Sequence, residues 1–402
     1  MSTRKSRSKR EENRETKATL LLVGLGELGG RLLEILARTP NFGWRIVVAS
    51  RQAEAGRRRV NAALFSASYA EHFPELLFTR VDIEDQAAAT ELIAREKPAV
   101  VVNTATRSAW WIRGLLPDHI KDRLNAVGAG PGLWAAGHLA VTRRLVLALQ
   151  QADCRAPLIN AAYPDVVNPA LAPLAPGPLV GIGNIDLLIP AVRYIVAEEF
   201  KISPRHVSPF IVAHNFHSSR ILTSGALDGR LPFLKVLVSG TDVTPSLDLP
   251  RLFQRIPNRT PIPLGATSSA VAVGSLYRTV LAVLNDSNIM THAPGPGGLP
   301  GGYPVEIGRA GARICLPESI TMPDALAINL AGQRGEGIQE IRKDGTLVLT
   351  DVAAHVLRDV FGMTAGPIDP KDADAFSIEL AERLRLLAGR YGIHSPKLRR
   401  SA

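Results

Sequence analysis

Two kinds of hydrophobic segment alternate along the first half of the chain. Residues 19–23 (TLLLV) form a short unbroken apolar run, the pattern of a strand buried on both faces. Beyond the glycines at 24–30 the spacing changes. Leu28, Leu32, Ile35 and Leu36 recur at helical intervals, which predicts an amphipathic helix. Further apolar strands are predicted at 44–49, 77–81, 98–103 and 156–160, with helices over 85–96 and 134–152. Alternating strands and helices with continuous apolar strands predict a parallel sheet covered on both sides.

The pattern changes after about residue 185. A helix is predicted over 189–200 and strands over 210–213 and 234–238. Residues 293–304 (APGPGGLPGGYP) hold nine Gly or Pro in twelve, which predicts a long loop, either a lid or a crossover. Residues 303–316 and 337–350 read as hairpins, the second with Asp344-Gly345 at its turn. Two amphipathic helices follow at 351–361 and 372–391. No internal repeat is visible.

Composition narrows the class. Of 402 residues, 46% are hydrophobic and 21% charged, which is globular, and aromatics at 5% leave the core to Leu, Val, Ile and Ala. The net charge of +10 suggests a polyanion partner until it is located. Residues 1–17 and 390–402 each carry a net +4, so the body between them is nearly neutral. Solvated tails without apolar periodicity account for the basicity, and no groove-reading motif is present, so no specific nucleic-acid partner is expected. Two cysteines, Cys154 and Cys315, exclude a disulfide scaffold and a Cys-rich zinc module. The basic start has no apolar core before Thr19, and four prolines interrupt the longest uncharged stretch, 166–185. A cytoplasmic chain with no membrane partner is expected, and a homodimer remains open.

The glycine turn carries the first candidate chemistry. In Gly24-Leu25-Gly26-Glu27-Leu28-Gly29, Gly24 permits the tight turn out of the strand. Gly26 lets backbone approach a diphosphate, and Gly29 lets helix pack on sheet. The strand before and the amphipathic helix after are the context this motif needs. A dinucleotide-binding Rossmann unit is therefore expected, with Gly24, Gly26, Glu27, Leu28 and Gly29 at the phosphates. At the end of the second strand stand Ser50 and Arg51, where an acid would hold a ribose hydroxyl. An arginine fork suits a 2′-phosphate, so the expected cofactor is NADP rather than NAD. Arg57, Arg58 and Arg59 read either as further phosphate contacts or as a solvated helix face. Asp82 suits the adenine amino group or a helix cap. Asn103, Thr104 and Ala105 suit the nicotinamide-ribose side or a cap.

The second candidate chemistry lies past the fifth strand. Tyr163 is followed by Val167 where a short-chain dehydrogenase would have its lysine, so that machinery is missing. Residues 160–168 (NAAYPDVVN) and 181–184 (GIGN) are polar and turn-rich where the nicotinamide would lie. With the glycine turn and Lys97-Pro98-Ala99-Val100-Val101-Val102-Asn103, this pattern resembles the saccharopine dehydrogenase-like reductases over roughly residues 18–190. The resemblance implies a second α/β domain across a cleft and oxidation of an amine or reduction of an imine. It does not place catalytic residues one by one.

From chemistry alone, the proton-transfer candidates are Tyr163, Asp165, His214 and His217, the histidines because imidazole titrates near neutrality. Asn184 and Arg220 are candidate substrate contacts, Arg220 (or Arg193) for a carboxylate. His214 and His217 lack a third ligand, so no metal is expected. The expected class is α/β: an N-terminal Rossmann doubly wound parallel sheet with a second α/β (α+β) substrate domain. The divisions fall at 1–17 (basic tail), 18–185 (dinucleotide-binding), 186–350 (substrate domain), 351–392 (C-terminal helices) and 393–402 (basic tail). The expected activity is an NADP-dependent oxidoreductase acting on a small imine or carbonyl compound. A non-catalytic NADP-binding regulator and an extended short-chain dehydrogenase-like epimerase are the alternatives.

Overall fold

The computed structural model describes residues 17–107, 114–126, 131–174, 176–263, 265–364 and 366–394. Most of both basic tails lies outside these residues. The N-terminal half builds a six-stranded parallel sheet. It runs β1 (Thr19–Val23), α1 (Glu27–Ala37), β2 (Arg45–Ser50), α2 (Ala53–Ser68), β3 (Leu76–Arg80), α3 (Gln86–Glu96) and β4 (Val100–Asn103). It continues through α4 (Asp118–Ala126), α5 (Ala135–Gln151), β5 (Leu158–Asn160), α6 (Pro164–Leu171) and β6 (Val180–Gly181). The strand order is β3-β2-β1-β4-β5-β6, the doubly wound arrangement of a Rossmann fold.

The apolar run of β1 explains why it sits centrally. Leu20 and Leu22 point to one face, with Leu32, Leu33 and Leu36 of α1. Leu21 and Val23 point to the other, with Leu92 and Ile93 of α3 and Leu139, Leu145 and Leu149 of α5. Every residue of β1 is buried, as the unbroken pattern requires. Asp85 caps α3 by accepting from the amides of Ala87 and Ala88, both at 3.1 Å. The predicted strands at 44–49 and 77–81 are each offset by one residue from β2 and β3. The stretch after β5, which reads as turns, contains α6; Pro164 at its first turn costs no hydrogen bond there.

The second α/β region runs α7 (Leu188–Phe200), β7 (Val207–Val212), α8 (Asn215–Ser224), β8 (Phe233–Val238), β9 (Thr241–Asp242), α9 (Leu249–Arg259) and α10 (Ser269–Asn285). Next come β10 (Ile289–Pro294), β11 (Gly302–Gly308), β12 (Gly311–Ile314), α11 (Met322–Gly335), β13 (Ile338–Ile341), β14 (Leu347–Leu349), α12 (Asp351–Phe361) and α13 (Ala373–Arg390). The strands β7-β8-β9 and β10-β11-β12 form antiparallel sheets, and a bridge between Ala213 and Gly302 joins them. The Gly/Pro stretch is neither lid nor crossover: it links β10 to β11 within one hairpin. Gly295 N–H donates to the Gly301 carbonyl at 2.8 Å, and Asn168 Nδ2 donates to the Gly295 carbonyl at 3.1 Å. Gly295 packs closely on Asn168 of α6 and Gly298 on Ala172 just past it, while Gly301 packs on Asn329 of α11.

Two later helices return to the parallel sheet. The apolar face of α10 packs on α1, through Leu276, Val280 and Val283. Helix α13 lies over α5 and is tied down by ions. Arg107, just past β4, is buried and binds Glu84 and Asp374 (2.6 Å), while Arg144 of α5 holds the other Asp374 oxygen at 2.6 Å. Among the described residues no helix is long and apolar enough to cross a membrane.

Candidate active site

The glycine turn has the shape that a diphosphate needs. Gly24 takes φ +90°, and a Cβ there would lie 2.6 Å from the Ala105 amide nitrogen, so glycine is required. A Cβ at Gly29 would collide with the Gly24 carbonyl and with Thr104 Oγ1. A Cβ at Gly26, by contrast, would meet nothing within 4 Å. Backbone is thus exposed at Gly26, the glycine whose expected part is close approach to the diphosphate. No side chain caps α1, whose first-turn N–H groups have no intrahelical acceptor. Arg59 of α2 braces the turn, donating from Nη1 to the carbonyls of Leu25 (3.0 Å) and Gly26 (2.6 Å). Glu27 pairs with Arg31 at 2.8 Å, and Leu28 packs against the sheet core. These residues fit a dinucleotide.

At the end of β2, Ser50 stands opposite Arg80 of β3 in register. Arg51 is half exposed, with Nη1 4.0 Å from Glu84 Oε1. Asp82 accepts from the Glu84 amide at 3.1 Å, making a local turn. Glu84 and Arg80 were not singled out from sequence. They become neighbours of this end of the sheet only because β3 pairs with β2.

From the glycine turn a chain of polar contacts crosses the carboxyl ends of β1, β4 and β5. Thr104 Oγ1 donates to the carbonyls of Val23 (3.1 Å) and Gly24 (2.9 Å). Asn103 is fully buried; its side-chain Oδ1 accepts from the Ala105 amide at 3.0 Å, and its Nδ2 donates to Thr142 and Asn160, both at 3.1 Å. Asn160 donates in turn to Asn168 at 2.9 Å and accepts from the Ala162 amide at 3.0 Å. Asn103 is therefore a framework residue that fixes the loop, with Thr104 and Ala105 at its surface.

That framework leads to Tyr163. Its backbone is left-handed at φ 47°, which costs a non-glycine residue roughly 1 kcal/mol and is held by its surroundings. The phenol donates to Glu336 Oε2 in a close hydrogen bond. Glu336, 1% exposed, also accepts from Asn215 Nδ2 at 2.6 Å. The Asn215 amide donates to Asp165 Oδ1 at 2.8 Å, and Asn184 Nδ2 donates to Asp165 Oδ2. Asn184 is also left-handed, at φ 51°. Asn215 thus bridges two buried carboxyl groups, Asp165 and Glu336. Burial pushes the Asp165 carboxyl up to about 6, although the Asn184 and Asn215 donors oppose the shift. Asp165 therefore exchanges its proton near neutrality.

The histidines behave differently from the expectation. His214 and His217 cap α8 reciprocally. His217 Nδ1 accepts from the His214 amide at 3.0 Å, and His214 Nδ1 accepts from the Phe216 amide at 3.3 Å. Burial lowers His217 to about 4 and His214 further below its usual value. Both are neutral at pH 7 with their protons on Nε2, so neither titrates near neutrality as the sequence reading supposed. His214 Nδ1 does lie 3.6 Å from Glu336 Oε2, inside the same cluster.

Tyr163, Asp165, Asn184, His214 and His217 thus gather in one place, together with Glu336 and Asn215, which were not foreseen. Glu336 reads from sequence as a charged loop residue. The signal beside it is glycine: Gly332 packs on His214, Gly335 on Phe216, and Gly337 takes φ +89°. Arg220 lies outside the cluster, paired with Asp228 at 2.6 Å and over the Phe216 ring. Arg193 neighbours Asp186 and Arg278 instead.

Solved structures of similar shape include dehydrogenases. One is malate dehydrogenase from Plasmodium falciparum in complex with NADH, at 13% identity and TM-score 0.52, over 78% of this chain and 94% of that one. Another is lactate dehydrogenase from Cryptosporidium parvum complexed with lactic acid and nicotinamide adenine dinucleotide, at 15% identity and TM-score 0.52, over 80% and 97%. A third is apo malate dehydrogenase from Picrophilus torridus, at 14% and TM-score 0.54, over 80% and 96%. At such identity the likeness establishes the fold. No protein-family model matches the sequence, and no curated protein matches it.

Proposed function

We propose that the chain is an NADP-dependent oxidoreductase that exchanges hydride with a small imine or amine, in a cleft between the parallel sheet and the second α/β region. The observation that carries this reading is a buried acid–phenol cluster at the carboxyl end of the same sheet whose glycine turn fits a diphosphate. The fold neighbours that hold NADH or NAD support a nicotinamide cofactor. Ser50 and Arg51 support the 2′-phosphate form, because Arg51 is half exposed and β2 ends without an acid.

The roles divide by exposure. Gly24, Gly26 and Gly29, with the first turn of α1, hold the diphosphate. Ser50 and Arg51 hold the adenosine phosphate. Thr104 and Ala105 flank the ribose. A bound nicotinamide supplies or takes the hydride. Asn184 and Asn215 are partly exposed, form the accessible edge of the cluster and would touch substrate, with the buried Tyr163 just behind them. Asp165 and Glu336 are fully buried and position them. Asn184 and Asn215 direct their Nδ2 groups to the two carboxyl groups, so their Oδ1 atoms are left to accept. An acceptor-rich edge backed by two carboxyl groups suits a substrate bearing N–H groups, and it is a poor match for the carboxylate of a 2-hydroxy acid. In the reductive direction the carbon of the C=N bond gains hydride and its nitrogen keeps or gains a proton held by this cluster.

The resemblance to saccharopine dehydrogenase-like reductases points the same way, toward carbon–nitrogen chemistry. The epimerase alternative loses ground because Tyr163 is paired with a carboxylate, Glu336. The test is NADPH oxidation with 1-pyrroline, a minimal cyclic imine, against oxaloacetate and pyruvate without added amine. Turnover of the imine alone is expected. Turnover of the oxo acids with none of the imine would overturn the substrate class.

A further inference from the structure

Arg59 of α2 reaches back 33 positions to the glycine turn. Its Nη1 donates to the Leu25 carbonyl at 3.0 Å and to the Gly26 carbonyl at 2.6 Å. Its Nη2 lies 3.5 Å from Glu27 Oε2, while Arg31 holds Glu27 Oε1 at 2.8 Å. Two cations thus share the one acid in the first turn of α1, which offsets the repulsion it would exert on a diphosphate. Room for the guanidinium comes from Gly30, which is buried within α1. Glycine inside a helix is less favourable than alanine, so what it supplies here is space. A Cβ at Gly30 would lie 2.4 Å from Arg59 Cζ and 2.5 Å from its Nε, and its nearest neighbours are all Arg59 atoms. Gly30 is a slot for one side chain.

Peptide geometry fixes what this grip does. In a planar trans unit the carbonyl of one residue and the N–H of the next point to opposite sides. Holding the Leu25 carbonyl turns the Gly26 N–H the other way, and holding the Gly26 carbonyl does the same for the Glu27 N–H. Gly26 and Glu27 are exposed, and the Gly26 amide has no acceptor among the described residues. Without the guanidinium, glycine at 26 gives this turn the freest backbone a chain can have. A ligand would then bear the cost of ordering it.

We propose that Arg59, seated by Gly30, is a positioning residue for the diphosphate of the cofactor. It acts through the two peptide units that flank Gly26, keeping both amides turned toward the ligand while its own guanidinium stays on the carbonyl side. The inference rests on the dinucleotide reading above and extends it to a residue on a different helix.

A double-mutant cycle on the full chain tests the proposal, read by calorimetric titration of NADPH and of ADP-ribose, which carries the diphosphate without nicotinamide. Arg59→Met and Gly30→Ala should each raise both dissociation constants at least about tenfold, the second by pushing the guanidinium off the carbonyls. In the Arg59→Met background Gly30→Ala should change neither constant by more than about twofold, because the group it displaces is gone. Adenosine 2′-monophosphate, which lacks the diphosphate, should bind every variant within about threefold of wild type. Thermal unfolding reports the folding of each variant, and Gly30→Ala, a favourable change for the helix itself, keeps the test open if Arg59→Met fails to fold. Wild-type binding of NADPH that survives both single substitutions overturns the role of Arg59 and leaves the dinucleotide reading standing. Additive losses in the double variant, or a loss shared by adenosine 2′-monophosphate, overturn it equally. No binding of NADPH or ADP-ribose to wild type overturns the reading itself.

Discussion

Asp165 is the residue whose chemistry is most exposed to test. Its folded value of about 6 stands above the usual carboxyl value of 3.8, so the folded state holds a proton that the unfolded chain releases between those values. The stabilisation is complete at low pH and is lost as pH rises toward 6, by roughly 2–3 kcal/mol. Urea denaturation of wild type and Asp165→Asn between pH 4 and pH 7 should show this difference shrinking across that window and flat above it. Cofactor choice is also a single-residue matter. Arg51→Asp should raise the NADPH dissociation constant at least about tenfold while changing that of NADH by less than about threefold. Equal effects would mean that Arg51 does not touch the 2′-phosphate. Several of these residues were legible because position alone marks them: polar side chains just past the fifth strand of such a sheet border the ligand. Glu336 was not, because it lies far along the chain from Tyr163 and only the packing of α8 against α11 brings it there.

Helix and strand ends carry the next set of expectations. Gly29→Val should destabilise the fold by about 2 kcal/mol or more, because the new side chain meets the Gly24 carbonyl and Thr104, which cannot move. Arg107→Met should cost about 3 kcal/mol in urea denaturation, since it leaves Glu84 and Asp374 without their buried cation. A loss below about 0.5 kcal/mol would mean that α13 is held by its apolar face alone. Elements with a single dominant period, such as β1, α1, α5 and α12, could be read directly. Helix α10 (SAVAVGSLYRTVLAVLN) could not, because its β-branched and apolar residues satisfy strand and helix patterns together. The glycine-rich link after β10 reads as a mobile loop, yet its glycines serve contact with Asn168 and Ala172.

At the scale of the whole molecule, the buried histidines set the response to acid. Burial holds His138 and His217 at about 4 and His292 at about 3, with His214 also well below normal. Each stabilises the fold above about pH 6.5 and loses that contribution as pH falls toward the folded value. Asp165 and Asp186, both raised by burial, act in the opposite sense but are two groups against four. Stability should therefore rise between pH 5 and pH 6; a flat or falling profile would contradict the placement of these histidines. The two basic tails leave the body nearly neutral, so this response belongs to the interior.

The account rests on backbone at Gly26 lying open to a diphosphate. Its conformation, φ −70° and ψ −160°, suits any residue, and a Cβ there meets no atom within 4 Å. Gly26→Val should therefore fold with a melting temperature within about 2 °C of wild type. The decisive measurement is a calorimetric titration of NADPH into both proteins. The account predicts saturable binding to wild type and a dissociation constant at least about a hundredfold higher for Gly26→Val. No binding to wild type, or equal affinity in the two, would contradict it.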